Sequence, residues 1–553
     1  MNPTTTLTLS NKKLKCLLTL AIFLISSVLS LRAQVSVSKV WDKTYGGGQL
    51  DYLTSVIATS DGGYLLAGTT EPGVSSDKTE SSRGGQDYWV VKLNADGTKA
   101  WDRTYGGSSD DWLAAAISTP DGGFLLGGYS FSGISGERTD QSRGDADYWV
   151  VKLNTDGDQV WDKAFGGVAY DELTTLTTAS DGGYLLGGYS FSGVSGDKSE
   201  ASNGEEDYWV VKLNADGTKV WDRTYGGSGK DLLNTVKHVS GGGFLLGGTS
   251  QSGAGGSKTE ASKGGQDYWV VKLNADGTKA WDRTYGGSGK DDLKSLLVSS
   301  DGSGYLLGGL SVSGISNDKT EASRGGEDYW VVKLNADGTK VWDRTYGGSG
   351  NDWIGSLMST KDGGYLLGGG SGSGVSGDKS EASKGGKDFW VVKLNADGTK
   401  VWDKTFGGSG DDWIESMASA SDDDFLLGGA SDSGIGNDKT EASRGLKDYW
   451  IVKANVSILN AASLDEEEQN FIVYPNPSSG NFNFIFDDVK AGLDALQLTL
   501  TNSTGQIVKQ QKVYVNQLES GFQLTTADLP SGFYVLRVNF AGKEINRKLM
   551  LQK

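Results

Sequence analysis

The chain has 553 residues and a formal net charge of −18, from 52 Lys and Arg against 70 Asp and Glu. That balance repels phosphate backbones and excludes nucleic acid as a partner, while it suits cations or neutral ligands. A single cysteine, Cys16, and a single histidine, His238, leave no material for a disulfide framework and little for a zinc site or a Ser/His/Asp triad.

The first segment reads as an address. Lys12, Lys13 and Lys15 precede an apolar run from Cys16 to Leu31 that ends near Ala33 and Gln34. This predicts a secretory signal peptide over residues 1–34, too short and too one-sided for a transmembrane helix. A mature protein without thiols or a membrane-spanning segment is expected.

From residue 35 to 457 the chain repeats itself. Tryptophans open each copy at Trp41, Trp101, Trp161, Trp221, Trp281, Trp342 and Trp402, a period of 60 broken once to 61 where Ser303 is inserted. Periods of this length mark stacked or radial arrays rather than one continuous core. In the copy that starts at Trp101, four strands are predicted: Trp112 to Thr119, Phe124 to Tyr129, Tyr148 to Asn154 and Gln159 to Phe165. The third places Tyr148 and Val150 on one face and Trp149, Val151 and Leu153 on the other, so it needs an apolar neighbour on each side. Four-stranded blades packed face to face supply those neighbours, and the fold class predicted is an all-β, seven-bladed β-propeller. Short turns such as Asn154-Thr155-Asp156-Gly157 gather on one face, while the long connections, Ser130 to Ala146 and its equivalents, gather on the other with the Gly-Gly-x-x-x-Asp crossings.

The ends of the block predict how it closes. The chain enters with a lone fourth strand, Lys39 to Tyr45, and leaves after a third strand, Tyr449 to Asn455, where Ala454-Asn455-Val456 replaces the Leu-Asn-x-Asp-Gly of the other copies. Pairing the two completes the last blade and removes an exposed edge. With its Lys-Leu-Asn-x-Asp-Gly and Gly-Gly-x-x-x-Asp words, the block resembles secreted bacterial β-propeller repeat proteins. That resemblance implies fold and not activity.

An acidic linker, residues 458–470, with Asp465-Glu466-Glu467-Glu468, separates a tail over 471–553. Its alternating segments, Gly480 to Phe484, Leu496 to Asn502, Gly505 to Lys512 and Leu529 to Val538, predict a small C-terminal β-sandwich. Tyr474-Pro475-Asn476-Pro477, then Leu529-Pro530-Ser531-Gly532-Phe533-Tyr534, then Lys548-Leu549-Met550-Leu551-Gln552-Lys553 make the tail similar to the type A C-terminal sorting domain of type IX secretion substrates. The resemblance implies recognition by the type IX secretion machinery through motif residues Tyr474, Pro475, Asn476, Pro477, Gly532 and Tyr534. It also implies export across an outer membrane, removal of the tail, and a cell-surface or released product.

Three aspartates recur in every copy. Asp102 and its equivalents are expected to hold backbone or a basic neighbour at a blade edge, and Asp147 and its equivalents to cap the long loop. Asp51, Asp111, Asp171, Asp231, Asp291, Asp352 and Asp412 stand at the mouth of the innermost strand. They are expected to form a ring, either as caps or as a ligand-binding set for cations or sugar hydroxyls. No cofactor is called for; calcium stays open, although the spacing is not that of an EF-hand. Catalytic residues are not indicated, because each copy repeats the same acids and His238 stands alone. The loop refrain Asp-Lys-Thr-Glu-Ala-Ser suggests self-paired, ordered loops. Phe131 and Phe191, in two of those loops, have a packing and a sugar-stacking reading, with packing favoured. The expected function is a secreted or cell-surface binding and adhesion module with a glycan or surface-protein ligand. The alternatives are a carbohydrate-active hydrolase or lyase using loop-face carboxylates, and a structural surface-layer component.

Overall fold

The computed structural model describes residues 34–75, 77–299, 302–420, 424–459, 471–474, 478–486, 495–502, 506–514, 522–540 and 543–553. The signal-peptide prediction up to residue 33 and the linker from residue 460 lie outside them. Regular structure among the described residues is all strand. Two compact units are present among the described residues: Ser36–Ser457, and the residues from Ile458 to Lys553.

The first unit contains seven four-stranded sheets. Six use consecutive strands, as in Asp111–Ser118, Phe124–Ser130, Asp147–Leu153 and Gln159–Phe165, each within a residue of its predicted bounds. In the remaining sheet, Asp412–Ser419, Asp424–Ser431 and Asp448–Leu459 are completed by the N-terminal strand Gln34–Tyr45, as predicted from the missing Asp-Gly turn.

The third strand explains how neighbouring sheets meet. Trp149, Val151 and Leu153 share a core with Tyr88 and Val90 of the sheet before, whereas Tyr148 and Val150 share one with Trp209, Val211 and Leu213 of the sheet after. Tyr148 lies 4.7 Å from Trp209, centroid to centroid, and its hydroxyl donates to the Trp209 carbonyl at 2.9 Å. The same bond runs from Tyr88 to Trp149, Tyr208 to Trp269, Tyr268 to Trp330 and Tyr329 to Trp390. Tyr449 of the last sheet makes it to Trp89 of the first, at 3.3 Å. Glycine in the second strand admits the incoming tyrosine: a Cβ on Gly128 would stand 2.8 Å from the Tyr88 hydroxyl and 1.9 Å from the Trp112 carbonyl oxygen.

First strands of successive sheets also pack together, from Asp51–Ala58 through to Asp412–Ser419, and the last of them packs against the first. Ala116 N–H donates to Ser55 Oγ at 3.0 Å, and Val56 N–H donates to Ser416 Oγ at 3.0 Å.

The second unit has a three-stranded sheet, Phe471–Tyr474, Asn481–Phe486 and Gln523–Thr525, and a four-stranded one, Ile507–Tyr514, Ala495–Asn502, Gly532–Phe540 and Lys543–Leu551. Phe482 and Leu524 of the first share one core with Leu498, Leu536 and Leu549 of the second. Sequence reading missed Phe471–Tyr474, Gln523–Thr525 and Lys543–Leu551. The first two are too short to show a period, and Lys, Glu and Arg mask the alternation of the third.

The N-terminal strand is tied in by Asp42, which accepts from Trp450 Nε1 at 3.2 Å and from Thr440 N–H at 2.8 Å. Asp222 does the same inside a consecutive sheet, with Trp209 Nε1 at 3.1 Å and Ser199 N–H at 2.8 Å. Removing either carboxylate strands buried donors, so Asp42→Ala and Asp222→Ala are each expected to cost about 3 kcal/mol. Denaturant unfolding of the secreted protein checks this. Equal losses make Gln34–Tyr45 a full fourth strand, and a negligible loss for Asp42→Ala alone would show that it is not.

Candidate functional site: the long-loop face

Antiparallel pairing brings the start of the first strand, the end of the second and the start of the third to one end of each sheet. Asp111 lies opposite Ser130, and Ser130 opposite Asp147. The long loop 131–146 and the Gly106-Gly107 crossing leave from that same end.

The seven aspartates at the starts of the first strands occupy equivalent places and are buried, none more than 1% exposed. Asp111 Oδ2 accepts from Gly107 N–H at 2.6 Å and from Ser132 Oγ at 3.0 Å, clamping the crossing to the root of the long loop. Asp171, Asp231, Asp291, Asp352 and Asp412 repeat both bonds. The first copy departs, because Pro72 stands where the others have that serine. Asp51 keeps the Gly47 N–H at 2.7 Å and takes the Thr70 hydroxyl at 2.5 Å. A cavity of about 170 Å³ beside it is lined by Asp51, Thr70, Glu71 and Lys78.

The third-strand aspartates cap the loop end. Asp147 Oδ2 accepts from Ser142 Oγ and Arg143 N–H, both at 2.6 Å. The other oxygen of each, Asp87 Oδ1 and its six equivalents, is buried with no hydrogen-bond partner. Asp102 and its equivalents serve the fourth strand: Asp102 accepts from Thr79 N–H at 2.8 Å, Trp89 Nε1 at 3.3 Å and Lys99 Nζ at 2.7 Å. Between these acids sits the loop cation, Lys198 in the third copy. It is 2% exposed, donates to Thr224 Oγ1 at 2.7 Å and faces Asp171, Asp207 and Asp222.

Charge pairing in the loops goes further than the predicted self-pairing. Some pairs do stay within a loop, such as Arg143 with Asp140 at 3.2 Å. A second set joins each loop to the next: Arg83–Glu137 at 2.7 Å, Arg143–Asp197 at 2.8 Å, Lys263–Asp318 at 2.5 Å, Arg324–Asp378 at 3.0 Å, Lys384–Asp438, and Arg444–Asp77 at 2.8 Å. At the one junction without a pair, both partners are replaced, by Asn203 and Ser257. The residue before this position adopts a left-handed conformation in six copies: Gly136, Gly196, Gly256 and Gly377 sit there, and Asn317 and Asn437 are the only non-glycine residues with positive φ among the described ones.

One group of residues was missed. Immediately beside the invariant aspartates the repeat abandons its pattern: the position after them holds Tyr52, Trp112, Glu172, Leu232, Asp292, Trp353 and Trp413 in turn. In the first three copies the side chains form a continuous aromatic cluster. Trp112 stacks on Tyr129 at 6.4 Å and meets Tyr52 at 6.5 Å; Tyr129 meets Tyr170 at 5.8 Å. Phe131 lies 6.0 Å from Tyr170, and Phe191 6.2 Å from it on the other side. Both phenylalanines therefore pack, as favoured from sequence, yet they remain 41% and 45% exposed. The available signal was variation at the positions of Trp112, Tyr129 and Tyr170 in an otherwise regular repeat. His238 lies outside the cluster, edge-on to Phe244 at 5.9 Å.

In the tail, Tyr474 ends the strand Phe471–Tyr474, and Pro475, Asn476 and Pro477 lie outside the described residues. Gly532 opens the strand Gly532–Phe540; two residues on, Tyr534 is 5% exposed and its hydroxyl donates to the Pro530 carbonyl at 2.7 Å. The Leu-Pro-Ser-Gly-Phe-Tyr word thus closes a turn onto its own strand.

Repeated four-stranded antiparallel sheets make this a β-propeller-like repeat protein. Residues 472–552 match the secretion system C-terminal sorting domain, and the protein is exported by type IX secretion to the cell surface or the extracellular space. Among curated proteins the chain is similar to Regulatory protein FlaEY of Caulobacter vibrioides, 25% identical over 389 residues, which is 65% of this chain and 40% of that protein. The chain therefore matches two fifths of that relative's length. Among solved structures it is similar to hydrazine synthase of Kuenenia stuttgartiensis (TM-score 0.42, 11% identity, 68% of this chain and 93% of that one). It is also similar to a mutant apocarotenoid oxygenase of Synechocystis (TM-score 0.34, 10% identity, 70% of this chain and 88% of that one). No helix among the described residues is long and apolar enough to cross a membrane.

The buried carboxyls set a pH dependence. Burial pushes Asp87 up to about 7 and Asp207, Asp267, Asp328 and Asp388 up to about 6, from 3.8. A group whose folded pKa lies above its unfolded one stabilises below the unfolded value, and that contribution is lost as pH rises through the folded value. Burial lowers the loop lysines, Lys198 among them, to about 8, so their effect falls above that pH. Between about pH 5 and about pH 7.5 the carboxyls govern, and Tm is expected to be higher at the lower pH. Calorimetry at constant ionic strength checks it, and a Tm that rises toward pH 7.5 contradicts the assignment.

Proposed function

We propose that the seven sheets are the blades of one closed β-propeller, and that it acts as a secreted or cell-surface binding and adhesion module whose working side is the long-loop face. Closure is supported by three contacts between the last sheet and the first: Tyr449 on Trp89, Ser416 on Val56 and Arg444 on Asp77. The observation that carries the binding reading is at the loop tips. Val74, Ile134, Val194, Ile315, Val375 and Ile435 stand at one repeated position and are 62–73% exposed. An aliphatic side chain presented to water at one place in six copies supports contact with something else. The buried aspartates hold the loops that carry these residues. In this reading they act on a ligand through the loops, and the cavity beside Asp51 is the place in the first copy where a cation or a sugar hydroxyl would reach one of them.

Site-directed labelling tests the face. A Cβ at Gly193 meets nothing within 4 Å, so Gly193→Cys carries a bulky maleimide polymer on the long-loop side without strain. Asp156→Cys carries it on the exposed hairpin side. Adherence of the secreted protein to polysaccharide-coated, protein-coated and cell surfaces is expected to fall at least about tenfold for the first conjugate and to persist for the second. Equal effects, or no adherence by the unlabelled protein, would overturn the reading.

Processing supplies a separate check. Peptide mapping of protein recovered from the native cell surface is expected to end near residue 470, with the matched segment 472–552 removed. Peptides extending through Lys553 in the mature form would show that the tail is retained.

A further inference from the structure

The aromatic cluster of the first three copies is not explained by the scaffold. Residues that pack blades are the same in each copy: every third strand carries a tryptophan that is fully buried. Tyr52, Trp112, Tyr129 and Tyr170 have as equivalents in other copies Leu50, Asp110, Lys230, Asp292, Gly370 or Ala430, so the sheets form without rings at these places. The departure is confined to the mouth of the first strands on the long-loop side.

The two further tryptophans at the Trp112 position are already covered. Lys387 Nζ lies 4.8 Å from the ring centroid of Trp353, and Lys447 Nζ 4.3 Å from that of Trp413. Among the described residues no cation lies over the cluster, and Phe131 and Phe191 keep nearly half their surfaces open. Polar groups are interleaved with the rings. The Tyr170 hydroxyl donates to Glu172 Oε2 at 2.7 Å, and Glu172 also raises the pKa of the Tyr189 hydroxyl, whose burial is the larger cause. Asp110, at the edge, accepts from Gln86 N–H at 2.9 Å.

Phe131 and Phe191, open to solvent beside part-buried rings about 6 Å apart and flanked by carboxylate acceptors and phenolic hydroxyls, match a ligand with apolar C–H faces and a rim of hydroxyl donors. The carboxylates disfavour an anionic ligand, as does the net charge of −18. We infer that the mouth formed by Tyr52, Trp112, Tyr129, Phe131, Tyr170 and Phe191 is a binding platform for a neutral polysaccharide, whose pyranose faces stack on the rings while Glu172 accepts their hydroxyls. This rests on the proposed binding function of the long-loop face and names its ligand class.

The test is affinity electrophoresis of the full secreted chain in gels containing a β-glucan, a xylan, a mannan or a dextran, with Trp fluorescence read against oligosaccharides of whichever polymer retards it. Retardation by at least one neutral polymer is expected, with a spectral shift from Trp112. Phe131→Ala combined with Phe191→Ala is expected to weaken it at least about tenfold, two stacking faces being lost. Both side chains are half open to solvent, and near-UV circular dichroism confirms that the variant folds. Val160→Ala with Val220→Ala, exposed on fourth strands outside the cluster and the loop tips, is expected to bind as the parent does. No retardation by any neutral polymer, or equal retardation of the Phe131/Phe191 variant, overturns the proposal. If the variant loses adherence to protein-coated surfaces while no polymer binds, the platform serves a protein, and this inference fails while the binding reading stands. If the labelling experiment itself shows no adherence, that reading fails first.

Discussion

The tyrosine that reaches across from one third strand to the tryptophan of the next holds this repeat protein together. Each Tyr-Trp pair buries two rings completely and ends the tyrosine hydroxyl on a main-chain carbonyl, so neither the apolar area nor the polar atom is left unmatched. Much else follows from it. The second strand needs glycine where the tyrosine passes, as at Gly128, and even the last-to-first contact obeys the rule: a Cβ on Gly68 would stand 2.5 Å from the Tyr449 hydroxyl. The sixth copy carries Phe389 in place of the tyrosine, and its ring keeps the contact at 4.6 Å from Trp450 without the hydrogen bond. The ring-to-ring contact is therefore the part kept in all seven copies.

A second layer of order is electrostatic and lies at one end of the sheets. Buried aspartates pin the crossing, the loop root and the loop end, and a buried lysine or arginine stands among them. Burying so much charge is costly unless it is paired and hydrogen-bonded. The raised carboxyls and lowered lysines are the trace of that cost. What it secures is a set of ordered loops joined side to side by ion pairs, with the Asn203–Ser257 junction as the single neutral link. Exposed pairs of this kind contribute little one by one. Their value here is geometric, since they fix the spacing at which the loop tips and the aromatic mouth are presented.

Type IX export places this face outside the cell, where near-identical copies could serve a repetitive ligand or simply a rigid mount. The aromatic mouth breaks the repetition on one side only. A platform built in three copies and absent from the others gives the assembly a direction that its sequence period conceals.

Sequence alone determined the strand positions of the repeat block and the pairing of Lys39 to Tyr45 with the last copy, because a period of 60 residues broken once, apolar on both faces at the third strand, has few ways to bury itself. It also located the tail by its motifs and gave the roles of Asp102 and Asp147, whose bonds are local or follow from a repeated register. Tertiary structure decided what lies between copies. Asp111 and its equivalents are legible as a set but not as buried clamps, because burial depends on the neighbouring loop root. The loop-to-loop pairs join residues more than 50 positions apart, beyond any local charge pattern. Tyr52 and Trp112 come from the first and second copies and Tyr170 and Phe191 from the third, and they become one surface only when the sheets are set side by side. The reason is physical: periodicity reports what each copy needs in order to fold, whereas a site made where copies differ exists only in the packing between them.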